Sequence, residues 1–268
     1  MRDVTITDKE FAQFRKLIYD IAGINMTDAK KPLVAGRLAK RIKHYGMESY
    51  ADYFRLLTKA GNGDEVQMAV DLLTTNETYF FREPKHFDLL RSRILPSLKG
   101  RQTVRVWSGA CSSGEEPYSI AMTLDDCLGE QPWELVASDI SARVLDKARA
   151  GHYAMTRMEN IPKAYLTRYC LKGVGSHEGT FLVNASLRNR IQFRQVNLNE
   201  APPELGQFDV IFLRNVLIYF DVETKKRVVR NVLTLLKPGG HFLVSHSESL
   251  NGIADGLQVV APSVYRRP

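Results

Sequence analysis

Apolar residues recur at helical spacing through roughly the first 75 residues of the chain. One face of the first predicted helix carries Phe11, Phe14, Ile18 and Ile21. Thr7 and Glu10 have the spacing of a capping box, so this helix should begin directly after Thr7. Further helices are predicted at about 32–45, 49–57 and 64–73. The pattern therefore predicts an all-α N-terminal domain over residues 1–75.

After about residue 100, short and almost continuous apolar runs alternate with helical patterns. Strands are predicted at 104–107, 135–138, 191–196, 208–213 and 241–245. A helix at 222–236 should stop at the Lys-Pro-Gly-Gly segment 237–240. Such strands are typical of a parallel sheet covered by helices on both faces. Residues 152–190 interrupt the alternation and predict a small insert with a hairpin. An antiparallel pair is predicted near the C-terminus, at 258–260 and 264–266.

The segment Val-Arg-Val-Trp-Ser-Gly-Ala-Cys-Ser-Ser-Gly-Glu-Glu-Pro, residues 104–117, predicts a strand, a tight turn and a helix start. Small residues and glycine let the backbone approach a ligand, and a proline suits the first helical position. Glu115 and Glu116 at the helix N-terminus would repel a phosphate, but not a neutral or cationic ligand bearing sugar hydroxyls. The segment therefore indicates a nucleoside ligand bound without a pyrophosphate.

Polar groups follow the predicted strands, where open α/β sheets bind their ligands. Asp139 is suited to the two hydroxyls of a ribose, and the amide and apolar pair Asn197 and Leu198 is suited to an adenine edge and face. Arg214 and Asn215 end another strand, with Tyr219 close behind. Each has a plainer alternative: Asp139 as a helix N-cap, Asn197 as a strand end and Arg214 in a structural ion pair. The order of glycine turn, acid and amide favours a cofactor site. NAD is disfavoured because the acid lies 30 residues after Gly109, where a dinucleotide site places it about 20 residues on.

Composition narrows the class of protein. The chain has 268 residues and ordinary proportions of hydrophobic and charged residues, 44% and 25%. Cys111, Cys127 and Cys170 have no paired spacing, which favours a reducing compartment. No signal peptide or membrane-spanning run is visible, so we expect a cytoplasmic protein. His241 and His246 flank a strand without metal-ligand spacing, and no metal is expected.

The net charge of +7 is concentrated between residues 30 and 43. Arg37, Lys40, Arg41 and His44 are predicted to share one face of the second helix. A basic surface of this kind suits nucleic acid, an anionic membrane or an acidic protein. The alternative is an ordinary solvated helix face.

Six segments carry a resemblance to a known family: 76–83 (Asn-Glu-Thr-Tyr-Phe-Phe-Arg-Glu), 106–121, 137–139, 197–198, 212–220 (Phe-Leu-Arg-Asn-Val-Leu-Ile-Tyr-Phe) and 236–240. Over nearly its whole length the chain resembles the chemotaxis receptor glutamate O-methyltransferases (CheR family), which are class I S-adenosylmethionine-dependent methyltransferases. Segments 76–83 and 212–220 are the specific ones. The resemblance implies an α/β fold. The chain would comprise the all-α domain, a linker at 76–90 that contributes to the cofactor site, and a Rossmann-like methyltransferase domain at 91–268. Residues 152–190 would form a β-subdomain.

The resemblance implies methyl transfer from S-adenosylmethionine to glutamate side chains of chemoreceptors, with S-adenosylhomocysteine as product. It assigns the cofactor to Asn76, Thr78, Arg82, Gly109, Glu116, Asp139, Asn197, Leu198, Arg214 and Asn215. Arg82 and Tyr219 would line the reaction centre. Acidic receptor helices would contact Arg37, Lys40 and Arg41, and in some members the β-subdomain docks a receptor C-terminal peptide. We expect a monomer that neither binds nucleic acid nor inserts into a membrane.

Two functions other than glutamate methylation would also fit parts of the sequence. A nucleic-acid methyltransferase fits the basic charge, but the fourth strand lacks the Asn/Asp-Pro-Pro-Tyr type of motif. A regulator that binds S-adenosylmethionine without catalysis is disfavoured by the presence of Arg82 and Tyr219.

A glutamate is already a carboxylate at pH 7, so glutamate methylation requires positioning groups and no general base.

Overall fold

A computed structural model describes residues 4–201 and 204–268 of the chain. The N-terminal helices are α1 Asp8–Ala22, α2 Lys31–His44, α3 Tyr50–Thr58 and α4 Gly63–Leu73. The predicted capping box of α1 is confirmed, because Thr7 N donates to Glu10 Oε2 at 2.8 Å and Glu10 N donates to Thr7 Oγ1 at 3.3 Å. Phe14, Leu38 and Tyr53 are buried where the four helices meet.

The remaining helices are α5 Pro84–Leu89, α6 Leu95–Ser97, α7 Glu115–Leu128, α8 Ala142–Ala150, α9 Lys163–Tyr169, α10 Ala185–Arg188 and α11 Val222–Thr234, with a π-helical turn Leu90–Ile94 between α5 and α6. The strands are β1 Val104–Gly109, β2 Trp133–Asp139, β3 His152–Ala154, β4 Cys170–Lys172, β5 Thr180–Val183, β6 Ile191–Gln195, β7 Phe208–Leu213, β8 Leu236–Leu243, β9 Gln258–Ala261 and β10 Val264–Arg266.

Seven strands form the main sheet in the order β6-β2-β1-β7-β8-β10-β9. The first five strands in this order pair in parallel, and β10 is antiparallel to both β8 and β9. Two separate apolar clusters cover the sheet, one containing Val106 and Phe212 and the other containing Trp107 and Ile211. The predicted α/β, Rossmann-like class is confirmed.

The predicted fifth strand differs most from the structure, since β8 begins at Leu236 and not near 241. Phe208 pairs with Leu236 and Val210 with His241, so the Lys-Pro-Gly-Gly segment bulges within the first part of β8. A proline has no N–H to donate to a ladder, which explains the irregularity.

The insert predicted at 152–190 contains a three-stranded antiparallel sheet of order β3-β5-β4. The buried rings of Tyr153 and Phe181 pack against Phe80. The insert is therefore anchored on the segment that follows the all-α domain. Within the two described ranges, none of the helices combines the length and apolarity needed to cross a bilayer.

The all-α domain lies against the C-terminal edge of the main sheet. Asn25 N donates to the Tyr219 carbonyl oxygen at 2.8 Å, and Ile24 forms a β-bridge with Phe220. The Asp71 carboxylate at the end of α4 accepts from the first backbone N–H groups of α8. These contacts close one side of the space above the strand ends.

Candidate functional site

A cavity of about 470 Å³ lies between the all-α domain, the following linker and the strand ends. Ten of the residues predicted for the site line it: Asn76, Thr78, Arg82, Glu116, Asp139, Asn197, Leu198, Arg214, Asn215 and Tyr219. The structure therefore brings together groups from five separate segments. Gly109 is not part of the lining. A Cβ at this position would lie 2.9 Å from Leu213 Cδ1, so Gly109 allows β1 and β7 to pack closely.

The turn after β1 concentrates unusual backbone conformation. Ala110 and Ser112 have positive φ values of 57° and 50°, and Gly114 has a φ of 99°. Non-glycine residues pay a conformational cost there, which the surrounding contacts must offset. Ser112 N donates to Asp139 Oδ2 at 2.8 Å, and Ser112 Oγ donates to the Asn76 carbonyl oxygen at 2.9 Å. The helix begins at Glu115, so the proline at 117 is its third residue. The prediction that this proline is the first helical residue is wrong.

Asp139 ends β2 and faces the cavity with two partly used oxygens. Oδ2 accepts from Ser112 N, and Oδ1 accepts from Ser141 N at 2.9 Å. Burial raises the pKa of Asp139, while these backbone donors oppose the shift. The N-cap of α8 is Ser141, whose side chain accepts from Val144 N. Asp139 is therefore not the cap, and its oxygens keep the capacity to accept hydroxyl groups from a ligand.

Arg214 joins two carboxylates at the floor of the cavity. Its side chain is 1% exposed and lies 2.9 Å from Glu116 Oε2 and 3.1 Å from Glu83 Oε2. Burial raises the pKa of Glu116, although Arg214 and the Ser108 hydroxyl oppose that shift. For Glu83, burial is outweighed by Arg214, and the pKa is lowered. With both carboxylates ionised, the guanidinium and the two carboxylates carry one net negative charge, which suits a cationic ligand.

Arg82 and Tyr219 supply a cation and a phenol at the same cavity. Arg82 Nη1 donates to the Glu77 carbonyl oxygen at 3.1 Å, and its guanidinium lies 5.5 Å from the ring centre of Tyr79. Burial raises the pKa of Tyr219, and the charge of Arg82 opposes the shift. The phenol therefore stays protonated near pH 7 and can donate a hydrogen bond.

The two asparagines shape the wall of the cavity through contacts within the protein. Asn197 Nδ2 donates to the Ile21 carbonyl oxygen at 2.7 Å and to Glu200 Oε1 at 2.9 Å. Asn215, which has a φ of 58°, donates from Nδ2 to Ser245 Oγ at 2.8 Å. The Asn197 side-chain amide is thus engaged within the protein and is not free for the predicted adenine edge.

The structure corrects the prediction of a free basic face on α2. Arg41 donates from Nε and Nη2 to the Glu65 carboxylate at 2.8 and 2.6 Å. Arg37 Nη1 donates to two backbone carbonyl oxygens at the end of α4, both at 2.9 Å. A helix C-terminus offers such unpaired carbonyls to a cation. Of the three predicted receptor-binding cations, Lys40 is exposed and the other two are partly buried.

Sequence reasoning missed the side of the cavity that the all-α domain provides. These lining residues are Ala22, Ile24, Asn25, Met26, Thr27, Lys30 and Leu33. They belong to the end of α1, the following loop and the start of α2, where no motif distinguishes them. Cys111 also lines the cavity, but it is buried and burial raises the pKa of its thiol well above the usual value. A buried thiol of this kind packs in the turn and is not a reactive nucleophile.

A second cluster adjoins Arg214. Glu83, His86 and His246 each place a potential ligand atom within 4.8 Å of the others. Burial and the nearby Arg214 charge lower the pKa of His86 to about 4. In the sequence, the spacing of His241 and His246 predicts no metal site. The relevant signal was the spacing of three residues between Glu83 and His86, completed by a histidine far along the chain.

Comparison with known proteins identifies the family to which the chain belongs. Residues 9–74 match the model described as "CheR methyltransferase, all-alpha domain", and residues 76–265 match "CheR methyltransferase, SAM binding domain". The chemotaxis protein methyltransferase of Salmonella typhimurium is 39% identical over 98% of this chain and 91% of its own. Chemotaxis protein methyltransferase 2 of Pseudomonas aeruginosa is 41% identical over 97% and 93%. The Escherichia coli chemotaxis protein methyltransferase is 40% identical over 98% and 92%. The chain therefore belongs to the CheR methyltransferase family, and its cofactor is S-adenosylmethionine.

Proposed function

We propose that this chain transfers the methyl group of S-adenosylmethionine to glutamate side chains of chemoreceptors. Family membership supports S-adenosylmethionine-dependent methylation in chemotaxis. The proposal adds the acceptor, a receptor glutamate, and the product, a methyl ester. The observation that carries it is the shared cavity, in which Arg82 and Tyr219 accompany the predicted cofactor groups.

The reaction joins an anion to a cation. A glutamate oxygen forms a bond to the methyl carbon, the carbon–sulfur bond breaks, and its electron pair stays on sulfur. A neutral ester and S-adenosylhomocysteine result, without any proton transfer. Because charge is lost on the way to the transition state, excluding water favours the step. Aligning oxygen, carbon and sulfur in a confined cavity supplies several kcal/mol of the remaining barrier reduction, up to about 7–11 in favourable cases.

The cofactor roles follow from the charges on each side of the cavity. In this proposal Asp139 accepts the two ribose hydroxyls, while Glu116 faces the positively charged end of the cofactor. Arg214 Nη1 lies 2.9 Å from Glu116 Oε2 and holds that carboxylate in place. Leu198 and the neighbouring backbone would contact the adenine, since the Asn197 amide is engaged elsewhere.

Arg82 and Tyr219 would position the acceptor. A guanidinium binds a carboxylate strongly, and a protonated phenol donates to one carboxylate oxygen. Neither group needs to change its protonation state during the reaction.

The receptor contact is proposed at α2, beginning with the exposed Lys40. Acidic receptor helices would be attracted to that end of the helix. Arg37 and Arg41 would contribute indirectly, since both already have partners within the protein. The β3-β5-β4 sheet leaves two edges at which a receptor C-terminal peptide could pair. We propose that the protein acts as a monomer in the cytoplasm, where these receptor segments lie.

The test uses cofactor labelled on the methyl group and a receptor signalling fragment. We expect protein-bound label that alkali releases as methanol, as a methyl ester requires. Tyr219→Phe should lower kcat at least about tenfold, the loss of one charge-assisted hydrogen bond, with unchanged cofactor Kd. Tyr79→Phe, an exposed phenol outside the cavity lining, is the matched control. Alkali-stable label on nucleic acid, or no label on any receptor fragment, would refute the proposal.

A further inference from the structure

The cluster next to Arg214 has a geometry of its own. Glu83 Oε2 lies 3.4 Å from His86 Nδ1 and 3.9 Å from His246 Nε2. Ligand atoms held tetrahedrally at about 2.1 Å from one zinc ion are about 3.4 Å apart. The first separation matches that value, and the second is close to it. His246 is 41% exposed, so its ring can adjust and a solvated ion can reach it.

The hydrogen bonds around Ser263 determine which ring nitrogens carry protons. The Ser263 hydroxyl donates to the Pro262 carbonyl oxygen at 2.6 Å. Its oxygen also lies 2.8 Å from His86 Nε2 and 2.9 Å from His246 Nδ1. When the single hydroxyl hydrogen of Ser263 points to the Pro262 carbonyl oxygen, both ring nitrogens donate to the hydroxyl oxygen. In neutral rings, His86 Nδ1 and His246 Nε2 are then left with lone pairs.

These two lone pairs face a third acceptor, the Glu83 carboxylate. His86 Nδ1 is buried and has no hydrogen-bond partner within the structure. Arg214 Nη2 already lies 3.1 Å from Glu83 Oε2, but among the described residues nothing donates to the buried His86 Nδ1, and a shared cation would satisfy that nitrogen together with the carboxylate.

The local charge permits a further cation. The Arg214 guanidinium adjoins the cluster and is shared between Glu83 and Glu116. These three groups together carry one net negative charge when both carboxylates are ionised. Glu83 Oε1 also accepts from Ser245 Oγ at 3.0 Å, and Oε2 accepts from His246 N at 3.2 Å. With the Arg214 ion pair, these bonds leave about one of the four acceptor sites of the carboxylate for a metal ion.

We propose that Glu83, His86 and His246 form a binding site for one divalent transition-metal ion of the zinc class. Two imidazoles and one carboxylate are ligands typical of zinc, with a remaining position open to water. Ser263 acts as the outer partner that orients both rings, a role in which loss of the partner usually costs 10–100-fold in metal affinity. The proposal does not depend on which acceptor is methylated.

The experiment is a calorimetric titration of the full-length, metal-stripped protein with Zn²⁺, without cofactor or receptor. We expect one site in the wild type that His246→Ala weakens at least tenfold. Ser263→Gly, which keeps the left-handed backbone at φ 59° but removes the hydroxyl, should also weaken it about 10–100-fold. His152→Ala is the matched control, because His152 is an exposed histidine near His177, on the other sheet.

Spectroscopy provides a readout that is independent of affinity. Co²⁺ in place of Zn²⁺ should give the visible absorption of a four-coordinate site in wild type and in His152→Ala, and lose it in His246→Ala. No binding up to millimolar Zn²⁺ would overturn the proposal and indicate that a proton alone satisfies the cluster. Equal affinity in wild type and His246→Ala would overturn it as well.

Discussion

The ion pair between Arg41 and Glu65 separates a structural role for α2 from a receptor-binding one. The guanidinium contacts both carboxylate oxygens, and Tyr53 and Tyr45 donate to the same carboxylate at 2.7 and 2.9 Å. The two charged side chains are 19% and 10% exposed. Removing one partner from a buried pair costs about 3–5 kcal/mol, whereas an exposed pair is worth about 0–1 kcal/mol. Since Arg41 keeps some exposure, we expect Arg41→Met to lower the free energy of unfolding by about 3 kcal/mol.

A double-mutant cycle isolates the interaction. Urea unfolding of Arg41→Met, Glu65→Leu and the combined variant should show that the double variant is more stable than the sum of single losses predicts, by about 1–3 kcal/mol. Lys40→Met, one position earlier and exposed, is the control and should stay within about 0.5 kcal/mol of wild type. The dissociation constant for S-adenosylmethionine serves as a check that the folded variants keep the cavity.

One result would refute this reasoning. If Arg41→Met changes the free energy of unfolding by less than about 0.5 kcal/mol yet abolishes receptor methylation, the guanidinium acts at the surface. The original prediction of a free basic face would then be correct, and the ion pair would have no structural importance.

Three further predictions concern the cofactor turn and the dependence on pH. Asp139→Ala should weaken cofactor binding about 100-fold, because hydroxyl bonds to a carboxylate are worth about 1.5–3 kcal/mol each, while Asp139→Asn should lose less; calorimetry measures both. Gly114→Ala should lower the free energy of unfolding by about 1–3 kcal/mol, since φ is 99° and the new Cβ would lie 2.8 Å from Tyr153 Oη. Gly129→Ala, which also has a positive φ but open space around it, should show the backbone cost without the clash. Burial opposes the shift, but hydrogen bonds from Arg41 and the tyrosines lower the pKa of Glu65. The contribution of Glu65 to the free energy of unfolding is therefore present above the unfolded-state pKa of about 4.3, and it is lost as pH falls through the lower pKa of the folded state. Acid unfolding of Glu65→Gln should lack that component.

The chain's local patterns determined most of its regular structure. The capping box at Thr7, the apolar stripe of α1 and the ends of β2 and β7 depend on residues only a few positions apart, so they are readable without the fold. The groups that follow parallel strands also meet at one edge for a general geometric reason. For that reason the sequence alone predicts that Asp139 and Arg214 lie at one cavity.

Tertiary structure decided which of these groups are free and which are already bound. Arg41 meets Glu65 and Asn197 meets the end of α1 only after α2, α4 and the sheet have packed together. The cluster of Glu83 with His246 joins residues separated by 163 positions. Periodicity reports which face of an element a residue occupies, but it carries no information about the partner across that face. The sequence by itself therefore determined the elements and the kind of ligand, whereas packing decided the partners of the charges.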